Sequence, residues 1–265
     1  MENSKSLFTN QNTLLNEINN CLINEPLFSV FTVEGMSGLG KTTVSRKIQQ
    51  ENKRCIYMSI DSYDTSIDDF FQKISNALYE NINVKIEAKE IKNLSHFIKL
   101  LSDNNILIII DHFEFLLNHD GILKKEYEQL LKTICENTIC SKIIINSNQI
   151  IEYMDNVKTI GVQKIPEDEA YEYFNSQTEK IITNDNLDDD TKKKIVKLLY
   201  SNPRAINVFI YSWRLNNDII KIFTGGNYIV ELNRGSRETQ SLLNRIEKEL
   251  LKDSLSKIKT DAVQI

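Results

Sequence analysis

The chain has 265 residues, 41% of them hydrophobic, with 32 Lys or Arg against 37 Asp or Glu and a formal net charge of −5. That length suits one sizeable core plus a smaller second domain, and the acidic balance gives no global nucleic-acid footprint, so nucleic acid is open only through a local basic patch. No apolar run approaches the ~20 residues of a membrane span, the polar start from Met1 to Asn20 is not a signal peptide, and Cys21, Cys55, Cys135 and Cys140 form no Cys-x-x-Cys pair, so they are expected as buried, reduced cysteines of a cytoplasmic protein without zinc or disulfides.

A first helix is expected over about Thr13 to Ile23, where Leu14, Leu15, Ile18 and Leu22 recur at helical spacing. Ser29-Val-Phe-Thr-Val-Glu34 reads as a buried strand. Residues 35–43 follow, Gly-Met-Ser-Gly-Leu-Gly-Lys-Thr-Thr, and fill the phosphate-loop template G-x-x-x-x-G-K-[ST]. Gly35, Gly38 and Gly40 let main-chain N–H groups close around a phosphate without Cβ clashes. The helix opening at Lys41 adds its positive end. Lys41 can reach the β- and γ-phosphates, and Thr42 offers a hydroxyl to Mg²⁺. The nucleotide-binding set is therefore Gly35, Met36, Ser37, Gly38, Leu39, Gly40, Lys41, Thr42 and Thr43. A ligand-free glycine turn is the alternative, and the strand–loop–helix setting disfavours it.

Cys55 to Ile60 is the second strand, and Asp68 to Tyr79 an amphipathic helix with acidic residues in its first turn. Another helix over about Ile91 to Leu101 precedes Ile106-Leu-Ile-Ile-Ile110, the most apolar stretch in the chain. Lys142 to Asn146 and Lys158 to Val162 supply strands four and five. Alternating strands and helices imply parallel βα units, and five strands covered on both faces imply a doubly wound α/β sheet.

After Pro166 the pattern turns helical: Glu167 to Ser176, Thr191 to Tyr200, Arg204 to Leu215 and Arg237 to Ile258, interrupted by Gly225-Gly226 and a short run from Tyr228 to Leu232. The expected organisation is a nucleotide-binding domain over 1–164 and a helical lid domain over 165–265. Asp188 to Asp190 followed by Lys192 to Lys194 reads as a helix start with solvated charges.

The second chemical constellation is Ile106 to Leu117. An aspartate closing a buried strand beside a phosphate loop is placed to hold Mg²⁺ through its water shell, which makes Asp111 a metal candidate together with Thr42. Glu114 can polarise the attacking water, although an exposed first-turn glutamate is an almost equal alternative. Lys41, Asp111 and Glu114 form the catalytic set. His112 reads as a bystander, since no second His or Cys stands at metal spacing.

On these motifs the chain resembles the STAND class of signal-transduction ATPases, meaning NB-ARC domains and their bacterial regulator relatives, related to AAA+ proteins. The resemblance covers about Phe8 to Leu250. Ile109-Ile-Asp-His-Phe-Glu-Phe-Leu-Leu117 is similar to the bacterial Walker B form, Ile165 to Phe174 to the entry into the helical domain, and Ser201-Asn-Pro-Arg-Ala-Ile206 to the Gly-x-Pro motif. It implies a P-loop NTPase sheet of the ASCE type in strand order 5-1-4-3-2, ATP or ADP clamped between sheet and lid, and Pro203 packing against the nucleotide, with Arg204 beside it. Asn148 stands where the family carries an arginine that senses the γ-phosphate, Phe8-Thr-Asn-Gln11 where a Gly-Arg pair is usual, and Ser201 where glycine is usual. Ending at Ile265, the sequence leaves no room for the winged-helix, sensor or effector parts the family usually carries, so it is expected to be a fragment or a minimal module working through a partner.

Three functions are compatible with these features. The first is a nucleotide-dependent switch with slow ATP hydrolysis in regulation or defence. The second is an oligomeric AAA+-like ATPase that remodels DNA or protein complexes by self-assembly, with Arg204, Arg214, Arg234 or Arg237 as candidate cations across an interface. The third is a binding module locked on ADP. No Asn-Lys-x-Asp motif for guanine is present, which favours adenine.

Overall fold

The computed structural model describes residues 9–118, 122–137, 139–151, 155–182 and 187–215. The expected helix Arg237 to Ile258, the Gly225-Gly226 break, the Tyr228 to Leu232 run, Phe8, Arg234 and Arg237 lie outside the described residues. In chain order the elements are α1 (Thr9–Asn24), β1 (Val30–Glu34), α2 (Lys41–Glu51), β2 (Cys55–Ser59), α3 (Ile67–Ile82), α4 (Ala88–Ile91), α5 (Leu94–Asp103), β3 (Leu107–Asp111), a 3₁₀ turn (Phe113–Leu116), α6 (Lys125–Glu136), β4 (Lys142–Ser147), β5 (Val157–Gly161), α7 (Glu167–Ile181), α8 (Asp189–Leu198) and α9 (Pro203–Leu215). The described residues divide into two compact units, one drawn from residues up to Met36 and from Gly40 to Gln163, the other from Ser37–Leu39 and from Lys164 onward.

The first unit is built on a five-stranded parallel sheet in the order β2-β3-β4-β1-β5, which is the expected 5-1-4-3-2 arrangement. Strand alternation sorts its residues into two cores. Val30, Ile56, Met58, Ile108, Ile110, Ile143 and Ile145 pack with α3, α5 and α6 through residues such as Phe71, Phe97 and Leu130. Phe31, Val33, Cys55, Ile109, Ile144 and Ile160 pack on the opposite face with Leu14, Ile18, Val44 and Ile48 of α1 and α2. Central parallel strands buried on both faces read as near-continuous apolar runs, which is why the Ile-rich segments mark them.

Three local expectations need correction. The helix expected from Ile91 to Leu101 is two pieces: Asn93 accepts from the Ser95 and His96 N–H groups and caps α5 afresh. Helix α6 has no counterpart among the expected elements, although Tyr127, Leu130, Leu131 and Ile134 are all buried along one stripe. The cysteines do not share one environment, for Cys21 and Cys55 are buried, Cys135 is intermediate and Cys140 is exposed. In the second unit, Phe174 of α7 meets Phe209 of α9, and Phe209 meets Trp213 of the same helix, in tilted ring contacts. Asp188 caps α8 by accepting from the Thr191 N–H.

Candidate functional site

The phosphate loop leaves β1 and enters α2. Gly40 caps α2 at φ 94°, ψ 11° and, having no side chain, puts no cap bond on the first turn. Left-handed backbone of this kind suits glycine. A methyl group on Gly40 would also fall 2.2 Å from Gln11 Nε2, a side chain of α1 that is 7% exposed. The result is an uncapped helix N-terminus facing the loop, which is a ready anion site. Lys41 folds back over this loop and donates from Nζ to the main-chain oxygens of Gly35 (2.5 Å) and Met36 (2.9 Å). Burial lowers its ammonium to about 8, against the pull of the Glu114 and Asp111 carboxylates. A buried ammonium held by two carbonyls has the chemistry to exchange them for phosphate oxygens.

Opposite the lysine, the end of β3 gathers side chains from four elements. Asp111 is 2% exposed. Its Oδ1 accepts from the His112 N–H (3.1 Å) and from Asn146 Nδ2 (3.1 Å), while Oδ2 accepts from the Tyr57 hydroxyl (2.5 Å). The Thr42 hydroxyl of α2 lies near this carboxylate and favours its charged form. Burial pushes the Asp111 carboxyl upward, but Tyr57, Thr42 and Asn146 outweigh it and hold the group below its ordinary value. Asn146 also donates to Ser45 Oγ at 2.9 Å, and its own Oδ1 is buried without a partner. Parity explains the gathering. Tyr57, Asp111 and Asn146 point to the α1/α2 face, on the same side as Cys55, Ile109 and Ile144.

Glu114 lies one turn beyond, in the 3₁₀ segment that His112 opens with φ 57°. It is 5% exposed, so the surface-glutamate alternative is excluded. Glu114 Oε2 accepts from the Asn148 N–H (3.3 Å), and Oε1 lies 3.3 Å from His112 Nδ1. His112 thus touches the candidate acid. At the position of the family arginine, Asn148 gives Glu114 only its main-chain donor.

In the second unit, the loop tip Ser37–Leu39 meets the start of α9. Asn202 Nδ2 donates to the Ser37 carbonyl (2.7 Å), and Arg204 Nη1 donates to Ser37 Oγ (3.1 Å). Gly38 has φ 86°, and a Cβ there would lie 2.3 Å from Asn202 Oδ1. Pro203 is buried as the first residue of α9, where its missing N–H costs nothing. Of the expected site residues, the structure therefore brings together Lys41, Thr42, Asp111 and Glu114 in one unit, and Ser37, Gly38 and Arg204 in the other. Thr43 is exposed on α2 and Leu39 is buried. The expectation missed Tyr57, Asn146 and Asn202. Only Asn146 left a trace in sequence, as a polar residue ending an isoleucine run.

The model of the NB-ARC domain matches residues 11–186. The chain belongs to the NB-ARC family. Among solved structures, this NB-ARC chain is similar to a Walker-type ATPase of Pyrococcus abyssi, at 11% identity and TM-score 0.60 over 98% of this chain and 78% of that one. It is also similar to the Orc1 protein of Aeropyrum pernix solved with DNA, at 14% identity and TM-score 0.51 over 85% and 66%. A STAND protein with a tetratricopeptide repeat sensor from Pyrococcus horikoshii aligns at 14% identity and TM-score 0.48, over 77% of this chain and 32% of that one. No curated protein matches the sequence. Family and fold make the chain a STAND-class, AAA+-related P-loop ATPase, a class defined by nucleotide binding. Among the described residues no helix is long and apolar enough to cross a membrane.

Magnesium is the metal such a family implies, and the residues fit it. The available donors are all oxygen: the Thr42 hydroxyl and the Asp111 carboxylate, side by side at the loop. Mg²⁺ keeps several waters and takes one or two protein ligands plus phosphates, so no larger cluster is required. Among the described residues no group of three or more His, Cys, Asp or Glu forms a cage.

Proposed function

We propose that this chain is a nucleotide-dependent switch that holds ATP or ADP with Mg²⁺, hydrolyses ATP slowly, and passes its nucleotide state to a protein partner or to further copies of itself in regulation or defence. The observation that carries the reading is the convergence of an uncapped α2 N-terminus, Lys41, Asp111 and buried Glu114 at the C-terminal ends of β1 and β3. Lys41 takes the β/γ-phosphates in place of the Gly35 and Met36 carbonyls. Thr42 and Asp111 would hold Mg²⁺, which would neutralise charge on the phosphate oxygens. Glu114, aimed by His112 and the Asn148 N–H, orients the attacking water and receives its proton. Arg204, already bonded to Ser37 of the loop, is assigned as the cation near the phosphates, and Pro203 as a nucleotide contact. Asn148 brings no guanidinium, which fits slow turnover.

The proposed organisation is a nucleotide-binding domain over 1–164 and a lid over 165–265, in a cytoplasmic protein. Saturation near 100 times Kd should stabilise the protein by about 2.7 kcal/mol, a melting shift on the order of 5–10 °C. Glu114→Gln should keep that shift and lose turnover. Turnover at the wild-type rate removes Glu114 from the site. Rings or filaments assembled with ATP and stimulated by DNA would replace the switch with a remodelling ATPase.

A further inference from the structure

Tyr57 has no part in phosphate binding or water activation, yet its hydroxyl ends on the carboxylate that faces the metal. We propose that Tyr57 is a positioning residue: from β2 it fixes the Asp111 carboxylate so that its one remaining lone pair is held open for a hydrated Mg²⁺. The inference rests on the reading of Thr42 and Asp111 as the magnesium site.

A carboxylate offers about four lone-pair sites. Asp111 has three hydrogen-bonded donors for them: the His112 N–H and Asn146 Nδ2 on Oδ1, and the Tyr57 hydroxyl on Oδ2. One site is left for a metal-bound water. None of the three donors leaves easily. The His112 donor is main chain, and Asn146 is 1% exposed and tied to Ser45. Tyr57 sits in a strand paired in register with β3, opposite Ile109, and the Arg46 guanidinium of α2 covers its ring at 3.4 Å. Thr42 is different. It is exposed in the first turn of α2, and its oxygen is itself a prospective metal ligand. With Thr42 as a ligand, the remaining lone pair of Asp111 would accept a metal-bound water. Tyr57 would keep the carboxylate from rotating that lone pair away. Orienting groups of this kind typically change metal affinity by about 10–100-fold.

Tyr57→Phe tests the inference, because it keeps the ring and the Arg46 contact and removes only the donor. Fluorescent ADP is titrated in EDTA and then across Mg²⁺ concentrations. Affinity in EDTA should stay within about twofold, while the Mg²⁺ concentration giving half of the metal-dependent gain rises about tenfold. Equal losses in EDTA and Mg²⁺ would make the hydroxyl a fold-supporting group only, and the inference fails. An unchanged or lower half-point also overturns it, the latter meaning that the hydroxyl blocks the metal. Wild-type protein whose ADP affinity ignores Mg²⁺ overturns the magnesium-site reading itself, and this inference with it.

Discussion

The phosphate loop and the acidic end of β3 are proposed to serve the same ligand but are built in opposite ways. The loop is consecutive sequence, and its main chain does the work: Gly40 supplies left-handed backbone, α2 supplies open N–H groups, and Lys41 is parked on two carbonyls of its own loop. The acidic end is an assembly. Asp111 is held by Tyr57 from β2, Asn146 from β4 and the His112 N–H, with Glu114 fastened to the turn after β4. A consecutive site can fail at one residue without disturbing the fold. An assembled site couples ligand chemistry to the packing of three strands, and changes there should move stability and metal dependence together.

The largest effect belongs to the loop. Lys41→Ala should lower nucleotide affinity by several kcal/mol, a loss of about 100-fold or more, with little loss of stability without ligand. Calorimetric titration with ADP checks it, and a wild-type affinity in the variant would mean that the loop does not bind phosphate. The same lysine gives the loop a pH signature. Burial lowers Lys41 to about 8 in the free protein, so above that pH it must take up a proton to meet the phosphates. Affinity should be flat below about pH 7.5 and fall about tenfold per unit above 8 until the ligand-bound value is reached.

At the assembled end, Asn146→Ala should behave differently. It removes the donor to Asp111 and Ser45 together, leaving two buried acceptors short of partners. The expected cost is about 1–3 kcal/mol of stability without ligand, together with weaker Mg²⁺ dependence. Denaturant unfolding measures the first and ADP titration against Mg²⁺ the second. Loss of metal dependence at full stability would show that the two ends are built alike after all.

The same division decides what the sequence reveals. The loop, the strands beside it and Asp111 were legible because each is a run of neighbouring residues with one physical meaning. Tyr57 was not, since in Cys55-Ile-Tyr-Met-Ser59 it looks like any half-buried strand aromatic, and its role exists only across the pairing with β3. Asn202 and Ser37 lie far apart in sequence and meet only in the folded unit. The 16 residues of α3 carry a full capping box at Ser66 and Asp69, a strong local signal. By contrast α6 opens at Lys124 with no side-chain cap, so its start left little trace. Glu114 was undecidable from its spacing, because only the fold buries it.

The smallest expected effect lies at the join, where β1 hands over to the loop. Glu34 is the last residue of β1, partly buried, and accepts from the Ile151 N–H at 3.4 Å. Burial raises its carboxyl above the ordinary value, against the bonds from Ile151 and Thr32 that lower it. A carboxyl raised in the fold is easier to keep protonated there than in the unfolded chain. Its contribution is therefore fully present below its unfolded value and is lost as pH rises through the folded one, so at neutral pH the charged Glu34 is a small burden. Glu34→Gln removes the charge and keeps an acceptor for Ile151. Because the group is only partly buried, solvent screening limits the gain to a few tenths of a kcal/mol, or about 1 °C in melting temperature. Calorimetry at pH 7 and pH 4 decides the sign. The variant should melt higher at neutral pH and level with wild type in acid, where both carry an uncharged side chain. A variant that melts lower at pH 7 would mean that the Glu34 charge supports the loop entrance, and the join would then belong with the assembled end of the site rather than with the loop.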